Sequence, residues 1–168
     1  MKHYVVALGI ASALMACQET RDPPPVAPVN WDSKRIQLDE SDSLVQGSSY
    51  LSIYSAIYQR SEGLTYELTT TVSIRNISST DSIFIRRADY FNTQGDLIRT
   101  YVDEPVFVKP LETIEIIIDE ADKTGGTGAN FIFEWATRNS VHEPFFEAVM
   151  ISTTGQQGLS FTTQGIRR

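Results

Sequence analysis

The chain has 168 residues, 41% of them hydrophobic, and carries 14 basic against 21 acidic side chains for a net charge of −7. An acidic chain repels phosphate backbones and anionic headgroups, which excludes a nucleic-acid binder. Its one cysteine, Cys17, excludes disulfides within the chain and thiolate metal sites, so a folded domain must rest on a hydrophobic core.

Residues 1–16 carry an early positive charge at Lys2 and an apolar stretch from Tyr4 to Ala13, followed by Leu14-Met15-Ala16-Cys17. That order is a secretory signal ending in a lipobox: Leu three residues before the cysteine and a small residue directly before it. The apolar run is well short of the ~20 residues a membrane-crossing helix needs. The expectation is cleavage before Cys17 and lipidation of its sulfur, two or more acyl chains being enough for stable anchoring. The mature protein then sits in the bacterial cell envelope. Gln18 rather than Asp after the cysteine favours the outer membrane, by analogy with enteric sorting.

Residues 17–49 read as a polar, proline-bearing tether. Pro23-Pro24-Pro25 and the acidic Asp39–Ser43 run favour an extended, solvated spacer. Trp31 and the Ile36/Leu38 pair are the residues by which this stretch would dock as an edge strand instead.

From residue 50 to 168 the period is two, and this span is expected to fold by itself without cysteine or metal. In Leu64–Ile74, Leu64, Tyr66, Leu68, Thr70, Val72 and Ile74 share one face, with Thr, Glu, Ser and Arg on the other. Further strands are predicted over 51–58, 83–91, 97–102, 106–108, 113–119, 131–137, 145–153 and 159–163, separated by Asn, Asp, Gly and Pro turn signals. Many short strands without helical period predict an all-β fold, an immunoglobulin-like antiparallel β-sandwich of about 7–9 strands. Phe131, Phe133 and Trp135 are in phase and read as core. Tyr50, Tyr54 and Tyr58 recur every four residues, which on one strand places them on one face, packed in the second layer or free to stack on sugar rings.

Several ordered blocks add an identity: YLSIYSAIY at 50–58, TVSIRN at 71–76, DYF at 89–91 with Gly95, GGTGANF at 125–131, and Glu143-Pro144 running through EAVMI at 147–151 to GQQG at 155–158 and SFT at 160–162. Together they resemble the bacterial family catalogued as domain of unknown function 3124, over roughly residue 50 to the end. That family has no assigned activity, so the resemblance implies no catalytic residues.

Little here signals chemistry. Once the signal is removed His142 is the only histidine. Sites of two or three imidazoles cannot form, and no G-x-S-x-G elbow accompanies it. The Gly125–Asn130 run lacks the Lys and the following helix of a phosphate loop and reads as tight reversals between strands. If every strand from residue 64 onward reverses, loops 76–81, 103–105, 119–130 and 154–158 share one end of the sandwich, and 59–63, 92–96, 109–111 and 139–144 the other. The first end gathers Asn76, Asp81, Asp103, Glu104, Asp119, Glu120, Asp122, Asn130, Gln156 and Gln157. Of these, Asp103, Glu104, Asp119, Glu120, Asp122, Asn130, Gln156 and Gln157 are the candidate ligand site. Their chemistry suits Ca²⁺ or a hydroxylated ligand such as a glycan, and a solvated acidic rim otherwise. No metal or cofactor is required. The expected role is a non-catalytic, lipid-anchored module that binds an envelope protein or glycan. The alternatives are a carboxylate-based glycan-active enzyme, which needs two acids across a cleft, and a structural subunit of an envelope complex.

Overall fold

Alternating β-branched and aromatic residues leave each strand one face that must be taken out of water, and two sheets solve this by packing face to face. The computed structural model describes residues 28–39, 43–138, 142–153 and 158–168. Among them the chain forms twelve strands: β1 Val45–Ser52, β2 Ala56–Tyr58, β3 Thr65–Glu67, β4 Thr69–Arg75, β5 Ile83–Phe91, β6 Leu97–Val102, β7 Val106–Val108, β8 Thr113–Ile118, β9 Asn130–Thr137, β10 Phe145–Ser152, β11 Leu159–Gln164 and β12 Ile166–Arg167. Helix is confined to two single 3₁₀ turns, Asp32–Lys34 and Gly126–Gly128. The fold is all-β, as expected.

One sheet has the order β12-β1-β9-β5-β6, with β7 also on β5, and faces a second of order β11-β10-β4-β8, while β2 and β3 form a separate hairpin. The paired strands are antiparallel. Between the sheets lies a core that includes Leu51, Val72, Ile74, Ile116, Phe131, Phe133, Trp135, Phe146 and Met150. Phe133 of the first sheet stacks on Phe146 of the second at 4.2 Å between ring centroids, and Phe131 stacks on Phe133 and on Tyr90.

Strands β5, β6 and β7 keep their expected limits, whereas four features differ from the sequence reading. The strand expected over 51–58 is two. β1 starts at Val45 and stops at Ser52, because buried Ile53 and Ser55 bond out of the sheet to Ala129 and Gly126. The three tyrosines therefore do not share a face. Tyr50 points outward beside Ile132 and Ile166, Tyr54 meets Phe161 edge-on, and Tyr58 is 60% exposed. The strand expected over 64–74 also breaks: buried Leu68 donates its N–H to the Ser55 carbonyl while the chain crosses from the hairpin into the second sheet. These splits and the two-residue β12 raise the strand count above nine.

The third difference is topological. Ala88 faces Val102 and Ile85 faces Val106, so β6 and β7 run the same way along β5 as one interrupted edge strand. Residues 103–105 are a bulge in that strand, not a reversal. The fourth is the domain boundary. Residues 45–49 belong to a strand paired with both β9 and β12, and the stretch expected to be free tether docks between residues 29 and 36. Val29 and Trp31 pack on the core, and Lys34 Nζ pairs with Glu112 Oε1 at 2.6 Å. Arg35 bridges to Val106 and the Ile36 N–H bonds the Pro105 carbonyl at 2.9 Å. This strap spans the open side of the sandwich, from β8 in one sheet to β7 in the other.

Candidate functional site

The interrupted edge strand re-sorts the loops. Thr93, in the β5–β6 turn, donates its N–H and hydroxyl to the Gly125 carbonyl and receives the Gly128 N–H, each at 3.0 Å. Turn 92–96 therefore shares an end with 119–130 and with the β2–β3 hairpin, tied on by Lys123 Nζ to Glu67 Oε1 at 2.9 Å. At the other end Asn76 donates its amide N–H groups to the carbonyls of Asp81, Val108 and Lys109. Asn76 and Asp81 thus leave the candidate cluster for the end that also holds His142, at the opening of β10.

Of the candidate ligand residues, the structure brings Asp119, Glu120, Asp122 and Asn130 to one end. Asp103 and Glu104 sit in the mid-edge bulge instead, where Glu104 pairs with Arg35 at 3.2 Å. Gln156 and Gln157 lie outside the described residues, as does Cys17. Two of the three carboxylates that gather, Asp119 and Asp122, are engaged locally. Asp119 Oδ1 accepts the Ala121 N–H at 2.7 Å. Asp122 takes the Thr124 hydroxyl and N–H on one oxygen and Arg99 on the other. The Thr124 hydroxyl, helped by its N–H and by Arg99, holds the Asp122 carboxyl below its ordinary range against the opposing effect of burial. A shallow hollow between Glu67, Asp119 and Glu120 is lined by Lys123 as well, whose ammonium is paired to Glu67. Among the described residues no three His, Cys, Asp or Glu side chains converge as a metal-ligand set.

The glycine run has a packing role. Gly126 takes φ +73°, which favours glycine. Gly125 lies on the buried hydrogen bond between Ser55 Oγ and Tyr90 Oη, 2.8 Å long, and a Cβ there would overlap both oxygens. The loop lids this hydroxyl pair, and burial pushes the Tyr90 phenol up.

A second concavity was not legible as a site in the sequence. A groove of about 370 Å³ runs between the strap and β8, walled by Val29 and Trp31 on one side and by Tyr101, Glu115, Ile116 and Ile117 on the other. Ile117 is 55% exposed on its rim. Among the described residues Glu115 accepts only a long 3.5 Å bond from the Ser73 hydroxyl. The one sequence signal for it was Trp31, a large aromatic in an otherwise polar stretch.

Residues 46–167 match a protein family described as a protein of unknown function, DUF3124. The chain belongs to the DUF3124 family. No curated protein matches it. Among solved structures it is similar to the crystal structure of Thermotoga maritima 1070, at 11% identity and a TM-score of 0.45, over 71% of this chain and 92% of that one. The DUF3124 span opens at the second residue of β1 and closes with the last of β12, so the family unit is the sandwich. Tyr101 and β8 belong to that unit and the strap precedes it, so the groove is made jointly by the two.

The strap is held to the DUF3124 sandwich by a titratable contact. Burial alone would raise the Glu112 carboxyl, but the Lys34 ammonium and the Lys109 N–H outweigh it and hold the group below its ordinary 4.5. A depressed carboxyl contributes stability above its unfolded value and loses it as pH falls through the folded one. Acidification below about pH 4.5 should therefore loosen the strap. Acrylamide quenching of Trp31 is expected to rise over that range while buried Trp135 stays shielded, and Glu112→Gln should flatten the rise. Quenching that is equally pH-dependent in the variant would remove this ion pair from the explanation.

Proposed function

We propose that this protein is a non-catalytic interaction module fixed to the bacterial cell envelope by a lipid on Cys17. The observation that carries the reading is the single cysteine at the end of Leu14-Met15-Ala16-Cys17. Among the described residues no helix is long and apolar enough to cross a membrane. The docked strap supports the reading by limiting the reach of the anchor. With Pro28 already against the sandwich, the chain from Cys17 spans at most ~40 Å fully extended. A spacer running to residue 49 would reach roughly three times as far. A domain held that close meets partners in or beside the membrane, and Gln18 favours the outer membrane as its location. The partner is an envelope protein or glycan met at the side or face of the sandwich, since Asp119 and Asp122 at its loop end are engaged in local bonds.

Membrane fractionation tests the anchor. Cys17→Ser leaves no acylation site, so the variant is expected to leave the detergent-extractable membrane fraction and to appear as an unprocessed or soluble chain. Metabolic labelling with an alkynyl fatty acid should mark the parent and not the variant. If the serine chain pellets with membranes and is released by detergent as the parent is, lipidation is not what holds the protein.

A further inference from the structure

We propose that the free edge of β8 receives an extended segment of a partner protein as an added strand, with the sequence aliphatic–apolar–basic over three consecutive residues. The proposal rests on the interaction-module reading above and gives its partner a chemistry.

β8 ends the four-stranded sheet. It pairs with β4 over Thr113–Ile118 without a register shift, and among the described residues its outer edge makes no backbone hydrogen bond. Exposed strand edges are normally blunted by proline, lysine, a bulge or a very short strand. The first sheet does this: β12 is two residues long, and the β6–β7 edge is broken at 103–105 and bridged by Arg35. β8 has none of these devices, and the strap that flanks it leaves a groove beside the edge without pairing to its backbone. Its sequence, TIEIII, is β-branched at five of six positions and presents a straight row of amides and carbonyls beside an apolar groove. Backbone bonding along such an edge supplies affinity, and pockets for alternate side chains supply specificity.

The residues of β8 dictate what an added antiparallel strand must carry. Ile117 and Glu115 lie two apart on the outer face, and Ile116 between them is on the inner face, part of the core and of the groove wall. Side chains directly opposite across a strand pair are neighbours. The incoming residue opposite Ile117 is therefore aliphatic, covering a side chain that is more than half exposed. The next, opposite Ile116, turns into the groove against Val29, Trp31 and Tyr101 and is apolar. The third meets Glu115, whose carboxylate has no cation within salt-bridge distance among the described residues, and is lysine or arginine. The net charge of −7 disfavours an acidic segment at the same place.

The test uses the full chain in detergent and two short fluorescein-labelled, β-prone peptides that differ at one position. One is centred on isoleucine-valine-lysine, the other on isoleucine-valine-glutamate. Fluorescence anisotropy should show the lysine peptide binding about tenfold or more tightly than the glutamate peptide. Glu115→Lys, an exposed substitution, should reverse that order. Ile117→Thr keeps β-propensity and should weaken the lysine peptide about tenfold, with thermal melts confirming that both variants stay folded. Three results would each overturn the proposal. One is no binding of either peptide at about 1 mM by folded protein. Another is an unchanged peptide preference in Glu115→Lys. The third is sedimentation showing that the chain pairs with itself through this edge and that Ile117→Thr dissociates it. None of these outcomes alters the fractionation of Cys17→Ser, so failure of the peptide proposal and failure of the anchoring reading are separable.

Discussion

Trp135→Ala is expected to lower the stability of the sandwich by about 3–5 kcal/mol, a large share of the ~5–15 kcal/mol that holds an ordinary domain together. The indole is 1% exposed on β9, a strand paired on both sides by β1 and β5. Its Nε1–H donates to Ser49 Oγ at 3.0 Å, and the Arg167 guanidinium lies 5.5 Å from the ring. Opposite it in β1, Gly47 has no side chain, and a Cβ there would overlap the indole carbons. The alanine variant thus leaves a cavity that a glycine cannot fill and a buried serine hydroxyl without its partner. Urea denaturation should show a fall in midpoint with an unchanged slope, the sign of lost stability without a changed unfolding reaction. Trp135→Phe separates the two costs. It keeps most of the ring and should lose mainly the hydrogen bond, about 1–3 kcal/mol. A near-zero effect of the alanine change would place Trp135 at the surface and contradict the packing.

The same indole explains why the domain boundary was hidden. A strand announces itself by a buried apolar residue at every second position, as Ile114, Ile116 and Ile118 do in β8 and Phe146, Ala148 and Met150 do in β10. In the first half of β1 the inward positions Gly47 and Ser49 are small or polar because each is complementary to Trp135. One makes room for the ring and the other receives its N–H. Alternation of hydrophobicity is absent there, and the sequence VQGSS reads as spacer although it lies next to the centre of a sheet. The opposite error occurs at Leu68. Its apolar phase continues unbroken from Tyr66 to Val72, yet the chain changes sheet there, which periodicity cannot record.

The candidate site was legible only where local turn chemistry decided the geometry. Gly126 and His142 occupy opposite ends, as strand parity requires, and the glycine run is the tight structural turn its composition indicates. Parity failed at Asp103-Glu104-Pro105. Two acids and a proline have the composition of a reversal, but here they bulge an edge strand where the strap crosses, with Glu104 paired to Arg35 and the Pro105 carbonyl bonded to the Ile36 N–H. The groove could not be found by any local rule. Its walls come from Val29, Tyr101 and Ile117, which are brought together only by the packing of two sheet edges under the strap.

A chain that begins at residue 50 is expected not to fold cooperatively, whereas one that begins at residue 43 should fold and one that begins at residue 28 should be more stable still. Removing residues 45–49 strips β9 of its partner from Phe133 to Thr137 and β12 of its contact at Ser49. It also takes away the Ser48 carbonyl that accepts the Arg168 N–H, and the hydroxyl that satisfies the indole of Trp135. Each ladder hydrogen bond contributes about 0.5–1.5 kcal/mol net, and each buried group left unpaired costs about 1–3 kcal/mol. Several such losses in the middle of a sheet equal the whole stability of a typical domain. The strap contributes less. Deleting residues 28–42 exposes the core beneath Val29 and Trp31 and removes the Lys34–Glu112 pair, but it leaves both sheets complete. Circular dichroism and urea melts of the three chains should rank them 28, 43, 50 in falling midpoint, with the last showing a broad, low-amplitude change or none. A sharp melt of the chain beginning at residue 50, with the midpoint of the chain beginning at 43, would mean that β1 adds nothing before Tyr50 and that the sandwich closes without it.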